Sequence, residues 1–216
     1  VLFALSGGLF AIMQWQKWSS FAVRNIIAWI AALLGVGLVF SMAMVYMRPA
    51  QPTWNTIFTP VRFFVTTALL GALAVGAAFV ANYAYLERKD GAELSEPLAL
   101  LRDSLRWIAI ASIILLGIEI LIIPLYLGDL ATSGVAAGMD SMRILFGGDY
   151  GFVLALQILM AFVGAGIFGL FLYEASRRPE ADELMRLLTY GAFVFVLLSE
   201  VLGRYLFYAT HVRIGI

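Results

Sequence analysis

The protein has 216 residues, 62% of them hydrophobic and only 13% charged, with a formal net charge of zero and a mean hydropathy of +0.94. Soluble proteins carry about 25% charged residues, so the composition points to a membrane protein, and charge neutrality leaves no basic footprint for nucleic acid. With no cysteine and a single histidine, His211, this polypeptide cannot by itself hold a thiolate-bound iron–sulfur cluster, a disulfide, a Cys-based zinc site or a bis-histidine haem.

Six apolar segments follow one another, near 1–15, 23–47, 61–86, 107–127, 151–174 and 187–209. A helix needs about 20 apolar residues to cross a hydrocarbon layer of about 30 Å, and five of the six reach that length. The first opens at Val1 inside a glycine-containing apolar run, with no charged leader before it. It reads as a span cut at its start, so an N-terminal part is expected to precede it. Spanning strands would be nearer ten residues and would alternate, and no segment does. The fold class is therefore all-α: a polytopic transmembrane bundle of six helices, forming a single domain over 1–216.

The connections agree. QKWSSFAVRN joins the first two helices. RPAQPTWNTIFTP joins the next two, and its prolines and Asn55 stop a continuous helix. ERKDGAELSEPLALLRDSLR is polar and predicts a partly helical connector. The long glycine-rich stretch GDLATSGVAAGMDSMRILFGGDYG predicts a short interfacial helix around 136–146. EASRRPEADELMR is the last loop.

Alternate loops differ in charge. The first, third and fifth hold Lys17, Arg24, Arg88, Lys89, Arg102, Arg106, Arg177, Arg178 and Arg186; the second and fourth hold Arg48, Arg62 and Arg143. Basic residues collect on the cytoplasmic side, which predicts that both ends of this chain face outward. Trp15, Trp18, Trp54 and Trp107 read as interfacial anchors.

Charges inside the spans are the sharpest chemical signal. Glu119 lies in the fourth segment, Glu200 and Arg204 in the last. Each carboxylate is twelve residues from the cytoplasmic start of its span, Trp107 or Leu188, on the order of 18 Å at 1.5 Å per residue. They are expected at one depth, in the outer half of the bilayer. Arg204 is one turn beyond Glu200 on the same face and is its expected ion-pair partner, and Tyr208 and His211 continue that face. An intramembrane carboxylate is costly and must face the interior, pair or be protonated. Such groups mark pathways and proton relays; the alternative is a structural staple. Gly164, Gly166 and Gly169 in FVGAGIFGLF predict close helix packing. No strand precedes them, so the run is not a dinucleotide fingerprint. Asn82 and Gln157 are expected to make interhelical hydrogen bonds. Asp129, Asp140 and Asp149 are too far apart in sequence for a calcium loop.

PTWNTIFTPVRFF, then LLGIEIL, then SEVLGRYLFYATHVRIGI resemble the membrane-anchor subunit family of bacterial dimethyl sulfoxide reductases, and the resemblance covers nearly the whole chain. Its specific parts are Pro-Thr-Trp…Thr-Pro…Phe-Phe and Glu-x-x-Gly-Arg…Phe-Tyr…His. The resemblance implies a bundle of eight transmembrane helices in the bacterial cytoplasmic membrane, with both ends facing the periplasm or exterior. This chain would then lack the first two helices. It further implies a subunit without haem, cluster or reductase active site of its own. That subunit oxidises menaquinol for a molybdopterin catalytic subunit reached through an iron–sulfur electron-transfer subunit. The family's His-Leu-Gly-x-Pro and Asn-Glu-Ile quinol-site stretches do not occur in this sequence, so those ligands are not carried over. The residues expected to line a quinol site here are Glu200, Arg204, Tyr208, His211, Glu119 and Arg62: carboxylates to accept protons, an arginine to stabilise a quinolate anion. A secondary transporter or proton conductor using Glu119 and Glu200, and a purely structural anchor, are the other readings open at this point.

Overall fold

The computed structural model describes residues 1–90, 95–132, 134–178, 182–209 and 212. These residues form helices α1 (Leu2–Trp15), α2 (Phe21–Tyr46), α3 (Phe58–Asp90), α4 (Ser95–Thr132), α5 (Ala136–Phe146), α6 (Gly148–Ala161), α7 (Gly169–Ala175) and α8 (Asp182–Ala209). A π-helical segment, Phe162–Phe168, joins α6 to α7 without a break. No strand occurs among the described residues.

Among the described residues, five helical stretches are long and apolar enough to cross a membrane: 21–46, 58–89, 96–132, 150–175 and 182–209. Helix α1 is apolar but has 14 residues, about 21 Å at 1.5 Å per residue, which is short of a span. The chain is a multi-pass membrane protein. Its helices carry exposed Trp29, Leu33, Val36, Leu121, Phe171 and Leu198 on their outer faces, a distribution suited to lipid rather than water.

The expected connector between the third and fourth segments is helical on both sides, extending α3 to Asp90 and starting α4 at Ser95. The expected short helix at 136–146 is α5. Pro124 sits inside α4 without ending it. Between α1 and α2 the chain turns on Lys17 and Ser19, both in the left-handed region. Ser20 then caps α2, its hydroxyl accepting from the Val23 N–H at 3.5 Å.

Helices α3, α4 and α8 and the α6–α7 stretch form the bundle, while α1 packs on α2 and α2 on α3 at its flank. One stripe of each long helix is buried. On α4 it runs Leu101, Leu105, Ala109, Ser112, Leu116, Glu119 and Ile122; on α8 it runs Met185, Leu188, Ala192, Val196, Ser199, Glu200, Gly203 and Leu206. The spacing of three and four is that of a single helix face. In lipid such faces associate through close packing rather than hydrophobic transfer. The glycines of the π-helical segment supply that packing. A Cβ on Gly164 would stand 2.9 Å from Val196 Cγ2 and 3.0 Å from its backbone nitrogen, and one on Gly166 would stand 3.2 Å from Leu116. The two carboxylates thus belong to the inward stripes, which brings them together inside the bundle.

Candidate functional site

Helices α3, α4 and α8 converge on four charged side chains. Arg62 comes from the first turns of α3, Glu119 from the middle of α4, and Glu200 and Arg204 from the last turns of α8. Glu119 and Glu200 are each only 8% exposed. Glu119 interacts electrostatically with Glu200 and Arg62, Glu200 with Arg62 and Arg204, and Arg204 with Arg62. With two acids and two bases, the cluster is formally neutral. That is the condition under which ionic groups are tolerated at membrane depth.

The expected ion pair between Glu200 and Arg204 is not formed. The ion pairs among the described residues are Arg102–Asp182, Arg106–Asp103, Arg143–Asp140, Arg178–Glu174 and Arg186–Glu87. Each partner has gone elsewhere. Thr66 on α3 donates its hydroxyl to Glu200 Oε2 at 2.9 Å. The Arg204 guanidinium lies over the ring of Phe63, 3.8 Å from its centroid. A planar guanidinium stacks on an aromatic face and keeps its edge N–H groups available. The outcome is that Glu200 Oε1 and Glu119 Oε2 are buried oxygens without a hydrogen-bond partner. Leaving such atoms unpaired costs about 1–3 kcal/mol each, more for charged groups. Native structures that keep them generally do so for a catalytic role or to hold a water or an ion.

A narrow cleft of about 20 Å³ runs past this cluster, lined by Arg62, Phe63, Thr66, Glu200, Arg204 and Phe207 among others. An aromatic group adjoins it at Phe63 and Phe207. Trp54 stacks on Phe207 with rings 5.1 Å apart and 9° between their planes, and Tyr46 stands edge-on to both at 5.3 Å. The Trp54 indole N–H donates to the Phe207 carbonyl at 2.9 Å, and the Tyr46 and Tyr208 hydroxyls meet at 2.5 Å. Trp54 is therefore a packed latch holding the α2–α3 loop on α8. The loop is drawn in further by the Tyr126 hydroxyl, which donates to the Thr53 carbonyl at 3.0 Å.

Of the residues singled out from sequence, Arg62, Glu119, Glu200 and Arg204 share one cluster and Tyr208 stands in the aromatic group beside it. His211 lies outside the described residues. Thr66 and Phe63 were missed as partners, although Thr66 follows Arg62 by one turn on α3, the spacing that puts a hydroxyl on the same face. No signal in the sequence tells which aromatic ring a guanidinium will choose.

A family model described as DMSO reductase anchor subunit (DmsC) matches residues 1–210. Among curated proteins, the C subunit of the anaerobic dimethyl sulfoxide reductase of Escherichia coli (strain K12) is 26% identical over 219 residues, covering 99% of this chain and 66% of the relative. The protein thus spans just under two thirds of the length of the curated relative it matches. No solved structure matches it.

Proposed function

Because this chain belongs to the DMSO reductase anchor subunit family, we propose that it is the membrane-embedded part of a molybdoenzyme reductase complex, and that its buried charge cluster is where menaquinol is oxidised. In this reading the partners are an iron–sulfur electron-transfer subunit and a molybdopterin catalytic subunit. The membrane is the bacterial cytoplasmic membrane. The surplus of basic residues in alternate loops supports an outward-facing C-terminal end and cluster.

The observation that carries the proposal is the pair of buried carboxylate oxygens, Glu200 Oε1 and Glu119 Oε2, without partners beside Arg62 and Arg204. A quinol gives up two protons and two electrons. It needs bases in an apolar site, and a positive charge near the ring oxygen as its proton leaves. Thr66 holds Oε2 of Glu200, which leaves Oε1 to accept a proton from a ring hydroxyl. Glu119 supplies the second acceptor. Arg62 and Arg204 stabilise the negative charge that develops on the oxygen. The two electrons pass to the iron–sulfur partner, since this chain has no cysteine to hold a cluster.

The test uses the assembled complex in membranes. Glu200→Gln and Arg204→Ala should each lower menaquinol-dependent reductase activity by about tenfold or more, the scale of losing one charged transition-state contact. Activity from a reduced dye that feeds the soluble subunits directly should be unchanged. Full quinol activity in both variants would remove the cluster from the reaction.

A further inference from the structure

Buried polar oxygens without hydrogen-bond partners gather at one end of the bundle. Besides Glu119 Oε2 and Glu200 Oε1, they include Gln51 Oε1, Thr53 Oγ1 and Thr56 Oγ1 from the segment that joins α2 to α3. All five residues are at most 9% exposed. An unsatisfied buried oxygen costs about 1–3 kcal/mol, and inside a protein its usual remedy is an ordered water.

The spaces beside these oxygens are of water's size. The cleft at Glu200 has about 20 Å³. A second space, of about 40 Å³, shares Arg62 and Phe207 with it and extends to Tyr126 on α4 and Gln157 on α6. A Cβ on Gly203 would stand 2.6 Å from Gln157 Nε2, so glycine at 203 is what lets the carboxamide lie against α8 at the edge of this space. A water needs about 10–15 Å³ and two to four polar partners, so the first space admits one and the second one or two. A third cavity is wider and open. It has about 300 Å³ and is lined by Thr56 and the exposed Asp129, among others.

Tyr126 joins the inner spaces to the open one. On α4 it follows Glu119 by seven residues, two turns along the same face, and Asp129 follows it by one turn more. It interacts electrostatically with both Arg62 and Asp129. Its hydroxyl reaches the α2–α3 segment, donating to the Thr53 carbonyl at 3.0 Å. We propose that this seam carries protons from the carboxylate cluster to the water at this end of the bundle, with Tyr126 as the relay and Asp129 as the terminal group. The proposal rests on the quinol reading of the cluster and adds the exit for its protons. For each quinol oxidised, two electrons leave to the iron–sulfur partner and two protons remain on Glu119 and Glu200. Those carboxylates must be discharged before they can act as bases again. Each proton passes by water beside Arg62 to the Tyr126 hydroxyl, which accepts it and hands on its own. Asp129 delivers it to solvent. Tyr126 and Asp129 act on the carboxylates' protons and not on the quinol ring.

The experiment uses the assembled complex with a quinol donor. Asp129→Asn should lower kcat by about tenfold, short of the ~10²–10⁴ of a group acting on the ring itself, with KM little changed. Tyr126→Phe should do the same, and the solvent deuterium isotope effect on kcat should rise in both as proton movement becomes the slow step. Formate, a small weak acid that can enter the open cavity, should restore most of the Asp129→Asn rate. Dye-driven activity and complex yield report folding. If Tyr126→Phe assembles poorly, Asp129→Asn decides, since that side chain is exposed. A wild-type kcat in Asp129→Asn, or a loss that formate does not revive, would overturn the exit. If Glu200→Gln abolishes quinol oxidation while Asp129→Asn and Tyr126→Phe behave as wild type, the exit alone is wrong. If Glu200→Gln and Arg204→Ala are also silent, the quinol reading itself fails.

Discussion

Arg204 lies face-on to Phe63, with 3.8 Å from guanidinium carbon to ring centroid, although Glu200 is one turn away on its own helix. The stacking ties α8 to α3 and leaves one Glu200 oxygen without a partner. Phe63→Leu should therefore lower the melting temperature of the detergent-solubilised complex, by the loss of about 1–2 kcal/mol for a desolvated cation–π contact. Arg204→Lys keeps the charge but not the plane, and is expected to melt like Phe63→Leu rather than like wild type.

Thr66 is the one described residue that hydrogen-bonds Glu200. Thr66→Val keeps the shape and removes the donor. Hydrogen bonds to charged groups contribute about 1.5–3 kcal/mol, so quinol-driven turnover should fall by about tenfold or more. Thr66→Ser should restore most of it. Steady-state kinetics with a quinol donor, beside dye-driven activity, checks both.

Glycine positions in the bundle differ sharply in the room around them. Gly164→Ala would press on Val196 and Phe195, including the Val196 backbone, and Gly191→Ala would meet the Phe168 ring at 2.7 Å. Overpacking of this kind costs about 1–3 kcal/mol. Gly117→Ala has nothing within 4 Å and should be neutral or slightly stabilising, as expected for replacing glycine inside a helix. Thermal melts of the three variants should fall in that order of severity, with Gly117→Ala at or above wild type.

The α2–α3 loop is fastened by the Trp54 indole N–H to the Phe207 carbonyl and by the Tyr126 hydroxyl to the Thr53 carbonyl. Trp54→Phe keeps a ring to stack on Phe207 and drops the donor, at a cost of about 1 kcal/mol. The loop should open more often, which limited proteolysis would read as faster cleavage between residues 47 and 57. In intact cells stripped of the outer envelope, cleavage by an added protease would also place this loop on the outer side, as the basic-residue asymmetry predicts.

At the opposite end of the bundle, Arg102 and Asp182 join α4 to α8 with the guanidinium Nε and Nη2 both on Asp182 Oδ1, at 3.2 and 2.7 Å. The pair is partly exposed, so Asp182→Asn is expected to destabilise by about 1 kcal/mol at most. The loss should shrink as salt is raised. It should leave quinol kinetics alone, because the charge cluster lies near the other ends of these helices.

Much of this protein was decided by composition and run length alone. Long apolar stretches must be helices in lipid, because only a helix satisfies its own backbone there. Their order and approximate bounds therefore follow from counting, although the first of the six expected spans is only the 14-residue α1. So does the inward placement of Glu119 and Glu200, since a charge facing hydrocarbon is too costly to keep. What a one-dimensional reading could not settle was the choice among near partners. Helical spacing pairs Glu200 with Arg204, yet the tertiary structure gives Glu200 to Thr66 and Arg204 to Phe63, because α3 presents both on one face, a turn apart. Likewise Gln157 reads as a generic interhelical contact until the packing of Gly203 against it shows its carboxamide at the edge of a cavity. Interactions within one helix are set by the chain's own periodicity. Those between helices depend on rotation and register, which are fixed only when all the buried faces are packed together.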